Sequence, residues 1–182
     1  MPQNVLKMVL NQGRVVPIKN KIVDLVEKDT SAKLTLVKLR NIPDNSIVIS
    51  CDGFKTDTFF NGKGNGANQR CDYMVISGET IHFIELKSHE NADDVYKEEC
   101  IRKFNATGCI TKYIDSVVQI FFNKPEVFSR LEKRYILFYF KPSISKTSTS
   151  LRPVQKPLHN SPESFCAIPV GNNDEVELSV LN

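Results

Sequence analysis

Apolar residues Ile18, Ile22, Leu25 and Val26 recur at helical spacing behind Pro17, which suits a first turn. They predict an amphipathic helix over residues 17–29, with Asp24 and Glu27 on or beside its flank. Residues 33–39 alternate without settling on either period. Ile47-Val48-Ile49-Ser50-Cys51 reads as a short β-branched strand ended by Asp52-Gly53. Two strand-like runs, 71–76 and 81–87, flank Ser77-Gly78-Glu79-Thr80, which is hairpin chemistry because glycine tolerates positive φ. The longest periodic segment runs from about residue 94 to 123, with Ile101, Phe104, Ile110, Ile114, Val117, Val118 and Phe121 predicting a buried helical stripe. Residues 134–140 are apolar on both faces, as in a central strand covered by helices. Serine, threonine, lysine and four prolines fill 141–164, an expected irregular loop. Residues 165–170 and 175–181 then read as edge strands, the first carrying a proline.

A turn at Gly78-Glu79 sets residue 77 opposite 80 and 76 opposite 81, and so on until Asp72 falls opposite Glu85. Opposed residues share a face, and the period of two adds Lys87, Ile81 and Phe83 to it while His82, Ile84 and Leu86 point the other way. Two adjacent carboxylates repel unless a positive charge lies between them, and a hard divalent cation such as magnesium prefers oxygen ligands. The Leu86 carbonyl is a candidate further ligand. An ammonium at Lys87 would position an attacking water, help deprotonate it and offset charge gathering on phosphorus. Glu-x-Lys alone is a chance occurrence in many proteins. Here a helix is expected before it, an aspartate opens the preceding strand, and a long helix and an apolar strand follow.

Asp72, Glu85-Leu86-Lys87 and this order of elements resemble the PD-(D/E)xK phosphodiesterase superfamily over roughly residues 17–140. The resemblance implies an α/β fold with a restriction-endonuclease-like αβββαβ core, a mixed central sheet flanked by helices, and here extra C-terminal strands. It implies a nuclease that hydrolyses phosphodiester bonds with Mg2+ or Mn2+, on DNA rather than RNA because most relatives cut DNA. Asp72 and Glu85 match the metal-binding acids, and Lys87 matches the lysine acting on the nucleophilic water. Cys71 stands where the family name has proline, a permissive position. Members often add a first-helix carboxylate to the metal set, here Glu27 or Asp24, and a polar helper from the helix after Glu-x-Lys, here Lys103, Lys112 or Gln119. Restriction, phage defence, recombination and repair all remain open as settings.

The 182 residues, 41% hydrophobic and 25% charged, suit one domain with a core at about 17–140 and a C-terminal extension at 141–182. Five cysteines, an odd number without a CxxC pair, read as reduced core or boundary residues. The net charge of +3 does not by itself mark a nucleic-acid binder. The candidate phosphate contacts are scattered: Lys63 and Arg70 around a glycine- and asparagine-rich connector, then Arg102, Lys103 and Lys112 on the long helix. His82 is expected to be structural and His89 a surface residue. The polar N-terminus and the lack of any run of roughly 20 apolar residues predict a cytoplasmic chain without a membrane span. Cutting both strands of a duplex usually takes two sites, which is compatible with a homodimer. The competing readings are a catalytically inactive nuclease-like fold that binds nucleic acid or protein, and a partner protein using the proline-rich segment as its contact surface.

Overall fold

The computed structural model describes residues 2–52, 54, 66–89, 94–142 and 159–182. In chain order these form helix α1 (Pro2–Val9), strands β1 (Val15–Val16), β2 (Val23–Val26), β3 (Leu36–Arg40), β4 (Ile47–Ser50), β5 (Tyr73–Ser77) and β6 (Thr80–Lys87). Helix α2 (Asp94–Phe122), β7 (Glu132–Phe140), β8 (Cys166–Val170) and β9 (Asp174–Glu177) follow. A mixed six-stranded sheet has the order β1-β4-β5-β6-β7-β8, antiparallel up to β6 and parallel from β6 to β8. A second sheet has the order β2-β3-β9, with β3 and β9 parallel.

The two faces of the large sheet bury different partners, as the period of two dictates. Ile47, Ile49, Met74, Ile76, Ile81 and Phe83 pack with Cys100, Phe104 and Val118 of α2 and with Leu6 of α1. Val48, Tyr73, Val75, Ile84 and Leu86 pack on the other side against Val23, Leu25, Val37, Leu39 and Val176 of the small sheet. The hairpin forms in the expected register, Ser77 opposite Thr80 through Tyr73 opposite Ile84, and Gly78 takes φ +59 at its turn.

Several sequence expectations fail. No helix covers 17–29. Asn20 and Lys21, both at positive φ, make a tight turn between the bridged residues Lys19 and Ile22, and β2 follows with Val23 and Leu25 buried. That paired positive φ is the geometry of a type I′ hairpin turn, which helical spacing cannot reveal. In place of a helix at 17–29, the chain has α1 at residues 2–9 and then three strands before β4. On α2, Phe121 is 76% exposed and so lies off the buried stripe. The expected last strand stops at Glu177, and Leu178–Leu181 form a 3-10 helix whose Leu178 and Leu181 are buried. Most of the proline-containing loop lies outside the described residues. No described helix is long and apolar enough to cross a membrane.

Candidate functional site

The β5–β6 ladder ends one pair short of the expected Asp72–Glu85 pairing. Beyond Tyr73, the Asp72 amide still donates to the Ile84 carbonyl at 3.0 Å. The Asp72 carboxylate oxygen Oδ2 accepts the Leu86 amide at 2.6 Å. N–H and C=O of one strand residue point to the same edge, so Leu86 turns its carbonyl toward the Asp72 end as well. Asp72 and Glu85 come close enough for the Glu85 charge to act on Asp72: burial, and then that charge, push the Asp72 carboxyl well above the usual range, against the opposing pull of Lys103.

Glu85 is fully buried on the α2 side of β6. Its Oε1 receives the Lys103 ammonium at 2.5 Å and lies 3.4 Å from that of Lys87. Its Oε2 is buried without any hydrogen-bond partner. Desolvation raises the Glu85 pKa, and the two lysines pull the other way. Glu99 accepts from Lys87 at 2.7 Å and lies 3.6 Å from Lys103, its neighbour one helical turn on. Burial would raise the Glu99 pKa, but hydrogen bonding and charge from the lysines prevail and lower it. Against the cost of burial, the surrounding carboxylates, Glu85 foremost, raise the Lys103 pKa and keep it charged.

Local sequence explains how α2 delivers Lys103. Thr107, fully buried, donates to the Lys103 carbonyl at 2.8 Å and accepts the Cys71 amide at 2.9 Å. One hydroxyl therefore fixes the helix against the residue before Asp72. At the far end of α2, the buried Asp115 accepts the Val127, Phe128 and Ser129 amides and the Ser129 hydroxyl, at 2.6–2.9 Å.

A cleft of about 760 Å³ opens over these groups, lined by Asp72, Leu86, Lys87 and Lys103 on one side and by the loop after β2 on the other. Glu27 and Asp29 lie on that loop. The Tyr73 hydroxyl donates to the Val26 carbonyl at 2.7 Å and accepts its amide at 2.9 Å, and the Ser88 hydroxyl accepts the Leu34 amide at 3.1 Å, tying the loop to the large sheet. Glu27 thus reaches the cleft from a loop rather than from the expected helix. Its Oε1 accepts the Asp29 amide at 3.0 Å, while Asp29 accepts the Ser31 amide and hydroxyl. Asp24, the alternative, is exposed on β2 and does not line the cleft. Among the described residues, no group of three or more His, Cys, Asp or Glu is assembled to hold a metal. The oxygen donors at this end of β5 and β6 are Asp72, Glu85 and the Leu86 carbonyl, and Glu27 lines the same cleft from the loop. These are oxygen donors of the kind hard divalent cations take, and an orphaned buried carboxylate oxygen is a group that such a cation would satisfy.

Of the expected phosphate contacts, only Lys103 is described in the cleft lining. Arg70 is partly buried and donates to the Asn68 carbonyl, Arg102 lies 3.5 Å from Glu98, and Lys112 is exposed farther along α2. Lys63 lies outside the described residues. His82 sits on the opposite face, buried, with its ring nitrogens near the Val75 carbonyl and Asn182. His89 lines the cleft and stacks on Tyr96 at 4.1 Å. Sequence reasoning missed Glu99; its signal was the i,i+4 spacing to Lys103 beside the buried Cys100 and Phe104. Comparison of the chain with family models, curated proteins and solved structures gives no match.

Proposed function

We propose that the chain is a metal-dependent nuclease of the PD-(D/E)xK type, hydrolysing nucleic-acid phosphodiester bonds, DNA first among them. One observation carries this reading: Glu85 buries a carboxylate oxygen without a partner, close enough to a second carboxylate, Asp72, to act on its charge, and Asp72 lines an open cleft. Leaving such an oxygen unsatisfied costs about 1–3 kcal/mol or more for a charged group, a cost with no structural return unless something binds there. The order α1, β4, β5, β6, α2, β7 supports reading a restriction-endonuclease-like αβββαβ core, with β1, the small sheet and β8 as additions.

In this reading Asp72, Glu85 and the Leu86 carbonyl hold Mg2+ or Mn2+. The ion, when bound, supplies Lewis acidity and lowers the pKa of water. Asp72 is held in place by the Leu86 amide. Lys87 has three N–H donors, of which Glu99 and Glu85 engage two. The third is left for a water or a phosphate oxygen, where the ammonium would orient the nucleophile and offset developing negative charge. The loop from Glu27 to Lys33 forms the opposite wall and limits how the backbone of the substrate enters.

The closed network of Glu85, Lys87, Glu99 and Lys103 favours a second reading, a nuclease-like fold that binds nucleic acid or protein without cutting. Incubating plasmid and single-stranded DNA with purified protein and Mg2+ or Mn2+, beside Asp72→Ala and Lys87→Ala, separates the two. The nuclease reading expects cleavage by wild type alone, abolished by EDTA. Equal behaviour of wild type and both variants overturns it.

A further inference from the structure

We propose that this site takes one divalent cation rather than two, and that the Lys103 ammonium occupies the place of the second positive charge. The inference rests on the cation-binding part of the nuclease reading and adds a stoichiometry and a residue to it.

The two oxygens of Glu85 have different surroundings. Oε1 is capped by Lys103 at 2.5 Å with Lys87 at 3.4 Å, whereas Oε2 has no partner. Two-cation sites hold their ions about 3.5–4 Å apart and need carboxylate oxygens enough for both. Here one oxygen of the central carboxylate already belongs to ammonium groups. No cluster of three acidic or other ligating side chains among the described residues makes up the deficit.

Charge counting agrees. Asp72, Glu85, Glu99 and Glu27 at the rim bring four negative charges and Lys87 and Lys103 two positive ones, so the cluster carries two net negative charges when all are ionised. One dication neutralises it, and a second leaves two net positive charges, in a site where Glu85 is fully buried. Lys103 does not easily give way, because it sits between Glu85 and Glu99 on a helix turn that Thr107 bonds to the Cys71 amide. It acts as a positioning residue: it holds Oε1 and leaves Oε2 as the place for the ion.

Titration of the full chain with Mn2+, read by the loss of the free-ion electron paramagnetic resonance signal and by calorimetry, tests this. Wild type should bind one Mn2+ per chain, and Asp72→Asn should bind much more weakly. Removing the positive charge that caps Glu85 Oε1, as in Lys103→Met, should tighten binding at least about tenfold or admit a second ion. Lys103→Gln, which keeps a hydrogen-bond donor without charge, should do the same if Lys103→Met does not fold. Lys103→Arg should keep the wild-type stoichiometry. Two ions per wild-type chain, or uncharged variants that fold, take only one ion and bind it no more tightly than wild type, overturn the inference. Wild type that binds no Mn2+ overturns both this and the nuclease reading. One bound Mn2+ with the expected Lys103 effect but no DNA cleavage supports the inference while removing the hydrolytic reading alone.

Discussion

Replacing Asp72 by asparagine should make the protein more stable while removing its proposed activity. The Asp72 carboxyl is pushed well up by burial and then by Glu85, with Lys103 and the Leu86 amide acting the other way. A carboxyl whose folded pKa exceeds its unfolded value binds more protons when folded, so stability falls as pH rises from the ordinary 3.8 toward the folded value. Once pH passes the folded value, the folded chain bears that cost in full. Two like charges roughly 5 Å apart in an effective dielectric of about 20 repel by about 3 kcal/mol. Attraction to Lys103 and weakening of the charged hydrogen bond to Leu86 return part of this, leaving a net gain of about 1–2 kcal/mol for Asp72→Asn. The amide oxygen of asparagine can still accept the Leu86 N–H. With a urea m-value of about 2 kcal/mol/M, the midpoint should rise by about 0.5–1 M at pH 7.5 in EDTA, with m unchanged. Added Mn2+ should then stabilise wild type and not the variant, narrowing the difference. A midpoint for Asp72→Asn equal to or below that of wild type in EDTA would refute the reasoning.

Asp115→Ala removes the acceptor of four hydrogen bonds and strands the buried Val127 and Phe128 amides. It should cost about 3–5 kcal/mol, read by urea denaturation, and a loss under about 1 kcal/mol contradicts this account of the turn. Burial depresses the His82 pKa from 6.5 to about 4 although Asn182 and Val75 pull it upward. Between those values the unfolded chain takes up a proton the folded one refuses, so this residue should withdraw about 3 kcal/mol of stability as pH falls through that window. The raised carboxyls Asp72 and Glu85 act in the opposite sense, so the His82 share is read as the difference from His82→Gln in denaturation midpoints at pH 7 and pH 4.5. Parallel pH profiles for the two proteins would remove it.

The hairpin was legible because a two-residue turn with glycine leaves one register, and from that register the faces of β6 follow without further information. The helix expected over 17–29 was not, because Ile18, Ile22, Leu25 and Val26 satisfy a helical period while Val23 and Leu25 also satisfy a strand period. Only the turn at Asn20 and Lys21 decides, and lysine at φ 62 carries no sequence signal. Glu27 accordingly reached the cleft by a route that helical reasoning did not describe. Along α2, Lys103 and Lys112 looked equivalent as residue types. Nine residues are two and a half turns, so the two project from opposite sides of the helix, and the buried Phe104 and Thr107 mark the inward one. For Glu99 the sequence offers only the i,i+4 spacing to Lys103, which is common on exposed helix faces. Its bond to Lys87 is a tertiary contact, invisible until α2 lies against β6.

Asp72 and Tyr73 are neighbours in the chain whose side chains serve opposite surfaces of the sheet. The phenol grips both backbone polar groups of Val26, the residue directly before the cleft wall. A single dipeptide therefore carries the cleft carboxylate and braces the loop facing it. The entrance loop and the aspartate thus share one support, and a substitution that releases the phenol, such as Tyr73→Phe, should disturb the breadth of the entrance and the aim of the carboxylate together.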